Sequence, residues 1–127
     1  MGMDLVGMRP KNASGEYVRF NVWVWPELAA LCLTVAPNET APCKHWTTND
    51  GDGLDDKESE LLAQRLEEAL ADGSIDAYVA DRLVSTESKP GNILVITLEL
   101  RSDYRRTKDI VPIFIHFLRM CGGFRIW

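Results

Sequence analysis

The apolar positions of this chain change period several times, and each change marks a predicted element. Leu28, Leu31, Cys32 and Val35 recur at i, i+3, i+4 and i+7, the face of a helix. Pro26 suits its first turn, where a missing N–H costs nothing. Pro37 stops it, because the residue before a proline avoids the helical region. A second helix is predicted from about Leu54 to Asp72, with Leu62, Leu66, Ala69 and Leu70 as its apolar stripe and Gly73 as a left-handed cap. Ser74 restarts the chain as an N-cap, and Ile75, Tyr78, Val79, Arg82 and Leu83 keep helical spacing until Lys89-Pro90-Gly91. Asp109 is predicted to cap a last helix with the apolar face Ile110, Phe114, Phe117, Leu118 and Cys121, ended by Gly122-Gly123.

The remaining segments read as strands and loops. Met3 to Met8 is a short strand with Met3 and Leu5 on one face, followed by turn chemistry from Arg9 to Glu16. Tyr17 to Trp25, dense in aromatic and β-branched residues, predicts a strand or an extended lead-in. Asn38 to Thr48 has no clear period and is expected to be a loop. Ile93 to Leu100 opens with four consecutive apolar residues, the pattern of a central strand covered on both sides. Phe124 to Trp127 closes the chain as a short strand. The predicted class is α/β: one domain over residues 1–127, with a small sheet of about three strands packed against about four helices.

Composition narrows the function classes. At 127 residues the chain is long enough to bury a core without staples. No apolar run approaches the roughly 20 residues that span a bilayer, and the first residues lack a basic region followed by an apolar stretch. A cytoplasmic protein with no membrane contact is therefore expected. Cys32, Cys43 and Cys121 are odd in number and unevenly spaced, which points to reduced thiols. The net charge of -5 argues against direct nucleic-acid binding. Carboxylates crowd Asp50 to Asp72, opposed there only by Lys57 and Arg65, while Arg101 to Lys108 is a short basic patch. That dipolar pattern suits protein recognition.

The stretch His45 to Glu60, HWTTNDGDGLDDKESE, concentrates the candidate chemistry. Asp50, Asp52, Asp55 and Asp56 lie where a helix dipole favours negative charge, so they read as a capped helix, a cation site or an acidic surface. A calcium loop with Gly53 at position six puts Thr48, Asp50 and Asp52 at positions one, three and five, but Ser59 where a bidentate Glu belongs. The favoured reading has Asp50 or Asp52 as the cap, with Asp55 and Asp56 complementing the dipole. Cys43 and His45 lack the tight ligand pairs of structural zinc. A nucleophilic cysteine would need His45 or His116 as its base. Trp23 and Trp25 share a face of an extended segment by alternation. Aromatics in so small a domain mostly build its core, but one such face would also serve as a partner anchor.

Three blocks, MGMDLVG, GEYVRFNVWVWPEL with NDGDGL, and FLRMCGGFRIW, together resemble a family of uncharacterised small proteins of bacteria and their phages. Its members open with MGMD and a short strand, carry an Asn-Val-Trp stretch before the first helix, and end in Cys-Gly-Gly-Phe or Ser-Gly-Gly-Phe. The resemblance touches both ends and the middle of the chain. It implies no particular activity. Some longer relatives carry paired Cys-x-x-Cys motifs in a region that here, Ser85 to Asn92, holds no cysteine.

These readings converge on a non-enzymatic, protein-binding accessory factor of phage or mobile-element type. If the gene sits in a phage, inhibition of a bacterial defence complex such as a CRISPR effector is a natural specific form of that role. The partner is expected to be a protein with a basic surface, met by Trp23, Trp25, Asp50, Asp52, Asp55, Asp56, Glu60, Glu67 and Glu68, the glutamates facing solvent beside the leucine stripe. No metal or other cofactor is called for. The alternative is a small enzyme or ligand-binding domain using Asp50, Asp52 and His45, with or without a divalent cation.

Overall fold

The computed structural model describes the backbone of residues 2–87 and 94–127, with side chains for 3–81 and 107–127. Four strands, β1 (Gly2–Gly7), β2 (Tyr17–Asn21), β3 (Gly53–Asp55) and β4 (Gly123–Ile126), form one sheet in the order β2-β1-β4-β3. Every neighbouring pair is antiparallel. Five helices complete the α/β architecture: α1 (Val24–Val35), α2 (Pro37–Thr40), α3 (Asp56–Asp72), α4 (Ser74–Glu87) and α5 (Leu94–Met120).

Alternation along the strands sorts the sheet into two faces. Met3, Leu5, Phe20, Leu54, Phe124 and Ile126 are buried, whereas Val6, Tyr17 and Arg19 point outward into solvent. The buried face joins α1, α3 and α5 in one core cluster whose centre is aromatic. Trp25 stacks on Phe20 and Trp46 at 5.6 and 6.1 Å. Phe114 meets Phe20, Trp25 and Phe124 edge-on, and Phe124 also touches Trp46 and Phe117. Both buried indoles find acceptors, Trp25 Nε1 on the Trp46 carbonyl and Trp46 Nε1 on that of Thr40. Those bonds are what allow a tryptophan N–H to leave water.

The helical faces read from spacing are buried: Leu28, Leu31, Cys32 and Val35 on α1, and Leu62, Leu66 and Ala69 on α3, with Leu70 partly so. Gly73 takes the left-handed cap at φ +85°. Several expectations are corrected. Residues 94–100 belong to helix α5, so the predicted central strand is absent and Leu66 does not pack on one. The sheet is completed by β4 instead, and tertiary context overrides the β propensity of a valine- and isoleucine-rich run. Asp109 lies inside α5 rather than capping its start, and Pro112 falls within the same helix. Pro112 has no N–H for the carbonyl four residues back, so the helix carries one bond fewer there. The sheet has four strands because Gly53–Asp55 pairs with β4, and a one-turn helix, Pro37–Thr40, opens the predicted loop. The predicted stop at Lys89-Pro90-Gly91 lies outside the described residues. Among those described, no helix is long and apolar enough to cross a membrane.

Two substitutions test this packing. Leu66, fully buried, should lose about 2–5 kcal/mol on Leu66→Ala in a denaturant titration, and a loss below about 1 kcal/mol would contradict the assigned face. Gly122 turns α5 into β4 at φ +63°, and a Cβ there would lie 2.2 Å from the Arg9 carbonyl oxygen. Gly122→Ala should therefore cost more than the roughly 1–2 kcal/mol of a left-handed conformation alone, read as a lowered unfolding midpoint.

Candidate functional site

The acidic turn is built by its own hydrogen bonds. The Asp52 carboxylate accepts the backbone N–H of Lys44 and of His45, both at 3.0 Å, and that of Gly53 at 2.9 Å. These amides, Gly53 first, hold its pKa below the usual carboxylate range. Asp50 sits 2.6 Å from His45 Nδ1 and accepts the Asp52 N–H at 3.3 Å. Gly51, at φ +86°, donates to the Ile126 carbonyl, and the Ile126 N–H donates to that of Asp52. The turn thus continues the β3–β4 ladder, and Asn49 reaches the Trp127 carbonyl. Gly51 is needed for space as well, since a Cβ there would meet the Trp127 ring at 2.7 Å.

The helix cap falls elsewhere than on Asp50 or Asp52. Asp55 caps α3 in a reciprocal box: it accepts the Glu58 N–H at 2.7 Å, and Glu58 accepts the Asp55 N–H at 2.9 Å. The spacing of four carboxylates left the cap open, and the box partner Glu58, three residues on, was the signal that identifies Asp55. Asp55 and Asp56 form one wall of an open groove of about 430 Å³, with Met8, Arg9, Lys57 and Gly122.

The expected acidic face of α3 is largely taken up within the molecule. Arg119 on α5 grips Glu67 with two nitrogens, at 2.8 and 3.1 Å, and reaches Glu60 at 3.5 Å. Lys11 meets Glu60 at 3.0 Å and Asp56 at 4.0 Å. Arg65 lies 3.8 Å from Glu68 and 3.6 Å from Asp72. Each candidate carboxylate therefore has a partner in its own chain. Glu67 and Glu68 face solvent as expected and Glu60 does so in part, but Glu60 and Glu67 also pair with Arg119 and Lys11, which lie 49 to 59 residues away and leave no local sequence signal.

The tryptophans separate. Helix α1 begins at Val24, so the alternation that paired Trp23 with Trp25 stops there: Trp25 is 1% exposed in the core and Trp23 is 77% exposed. Burial excludes Trp25 as a partner anchor. The Asn21 side chain accepts the backbone N–H groups of Trp23 and Val24 at 2.9 and 2.8 Å, fixing the corner that carries Trp23. The three cysteines are free and buried. Burial pushes the Cys32 and Cys43 thiols up to about 12, the latter with help from the Asp52 charge, and raises that of Cys121. Thiols so held are poor nucleophiles. His116 is exposed and 2.9 Å from the Ser14 hydroxyl. Among the described residues no three His, Cys, Asp or Glu side chains group as metal ligands.

No protein-family model, curated protein or solved structure matches this chain. The functional reading therefore stands on its own residues.

Asp52→Ala removes the acceptor of three backbone N–H groups, two of them open to water, so it should cost about 1 kcal/mol near neutral pH. A carboxylate depressed in the fold stabilises above its unfolded value, about 3.9, and that contribution is lost as pH falls through the folded value. The gap in melting temperature between the native chain and Asp52→Ala should thus narrow below about pH 4. A gap independent of pH would contradict the assignment.

Proposed function

We propose that this chain is a non-enzymatic binding protein that acts by engaging a protein partner. Trp23 carries the proposal: a large apolar side chain, 77% exposed on a corner stiffened by Asn21, beside Val22 at 42%. Exposed apolar area costs roughly 25 cal/mol per Å², and tryptophan is enriched among residues that dominate interfaces. Pre-set backbone lowers the ordering cost of association. An accessory factor of phage or mobile-element type, acting on a bacterial defence complex such as a CRISPR effector, is the form supported by the MGMD, Asn-Val-Trp and Cys-Gly-Gly-Phe blocks.

The second reading is a small enzyme built on His45, favoured by its 2.6 Å contact with Asp50. A carboxylate-oriented imidazole is suited to general-base work. Its supposed helper Asp52 is occupied by backbone amides, and the neighbouring Cys43 thiol is buried with its proton tightly held.

Capture of host proteins on the immobilised chain, followed by measurement of affinity for the recovered partner, separates the two. Trp23→Ala should weaken binding about tenfold or more while leaving the melting temperature nearly unchanged, and His45→Gln should leave binding and the biological effect intact. Loss of the biological effect in His45→Gln with partner binding preserved would favour the enzyme.

A further inference from the structure

The outer face of the sheet has no part in the site described above. Strand register places its side chains in two rows. Tyr17, Val6 and Arg125 lie side by side across β2, β1 and β4, and Arg19 lies beside Asp4, whose carbonyl accepts the N–H of Trp127. Tyr17 and Trp127 are 51% and 55% exposed and Val6 38%, so these side chains of the face are open to solvent. Asp4 is held by the Tyr17 hydroxyl and by Arg19 at 3.7 Å.

Arg125 differs from the comparable cations. Among the described residues four are half-buried: Arg65, Lys108, Arg119 and Arg125. The first three are paired, with Asp72, Asp76 and Glu67 among their partners, while among the described residues no ion pair or side-chain hydrogen bond engages Arg125. It is flanked by an apolar side chain and, one strand further on, by an aromatic one, and its neighbour on β3 is Gly53, which adds no side chain. A guanidinium in such surroundings presents a planar fork matched to a carboxylate or phosphate.

We infer that this face docks an acidic segment of a partner protein, with a carboxylate on Arg125 and apolar side chains over Val6, Tyr17 and Trp127. The inference rests on the reading that the chain works by binding a protein. Charge decides against nucleic acid as the occupant. Of the two arginines on the face, Arg19 is already committed to Asp4, which leaves Arg125 as the unpaired cation of this face among the described residues, in a chain of net charge -5. A strand of phosphates binds through several such contacts at once, and one does not offset repulsion from the rest of the molecule. One carboxylate set among apolar groups fits one arginine set among aromatics.

The test is a nuclear magnetic resonance titration of the ¹⁵N-labelled full chain with a capped pentapeptide that alternates glutamate with tryptophan and phenylalanine. Saturable shifts at Val6, Tyr17, Arg125 and Trp127 are expected, with affinity reduced about tenfold or more in Arg125→Gln and no comparable shifts from the peptide bearing lysine for glutamate. Arg125→Lys, which keeps the charge and loses the fork, should bind more weakly than the native chain. Equal response to both peptides, or none to either, overturns the inference, as does tighter binding of a ten-nucleotide oligothymidylate. Shifts on these residues that grow with protein concentration alone would assign the face to a second copy instead. If Trp23→Ala abolishes capture of the host partner while Arg125→Gln leaves it intact, protein binding stands and this docking face falls.

Discussion

Insertion of β4 between β1 and β3 is the constraint on which the rest of the structure depends. Four residues near the end of the chain supply both neighbours' hydrogen bonds and place Phe124 against Trp46, Phe114 and Phe117. Without β4, strands β1 and β2 would form a lone hairpin, an arrangement only marginally stable in water. The geometry depends on Gly122 and Gly123, both at positive φ, which turn α5 into the sheet through a two-residue bend at Cys121 and Gly122. Pairing ends of the chain more than a hundred residues apart also makes this a fold of distant contacts, for which slow folding is expected.

The same insertion gives the acidic turn its role. Gly51 and Asp52 extend the ladder along β4, and Asp52 then gathers the amides of Lys44, His45 and Gly53. A carboxylate engaged in that way is a structural acceptor whose capacity for a cation or a partner is largely spent. The carboxylates of α3 follow the same logic on a larger scale, with Arg119 and Lys11 tying that helix to α5 and to the loop after β1. Each exposed pair is worth little alone, but bidentate geometry and a shared partner set this group apart from scattered surface pairs. Among the described residues, Trp23 on its corner and Arg125 on the open sheet face are drawn into no such pair.

How far the sequence disclosed this follows the range of the interactions involved. The helical faces of α1 and α3 and the glycine cap at Gly73 depend on neighbours within one or two turns, and period and residue type revealed them. The capping box of α3 was equally local, visible as Asp55 with Glu58, but it competed with three nearby aspartates. Strand β3 has only three residues, too few for an alternating pattern, and exists because β4 offers it an edge. The run Ile93 to Leu100 carries strand-forming residues, yet from Leu94 its backbone is helical. The partners of Glu67 and Asp52 were beyond reach for different reasons. Arg119 lies 52 residues from Glu67, and the donors to Asp52 are backbone amides that no residue type announces.

Native-state hydrogen exchange tests most directly whether the acidic turn is part of the framework. If β4 locks the turn, the amides of Gly51 and Ile126 should exchange only through global unfolding. Their opening free energy should then equal that of buried α5 amides such as Leu118. Exchange of Gly51 and Ile126 through a low-energy local opening, with the α5 core still protected, would contradict the account and make the turn a loop free to receive a ligand.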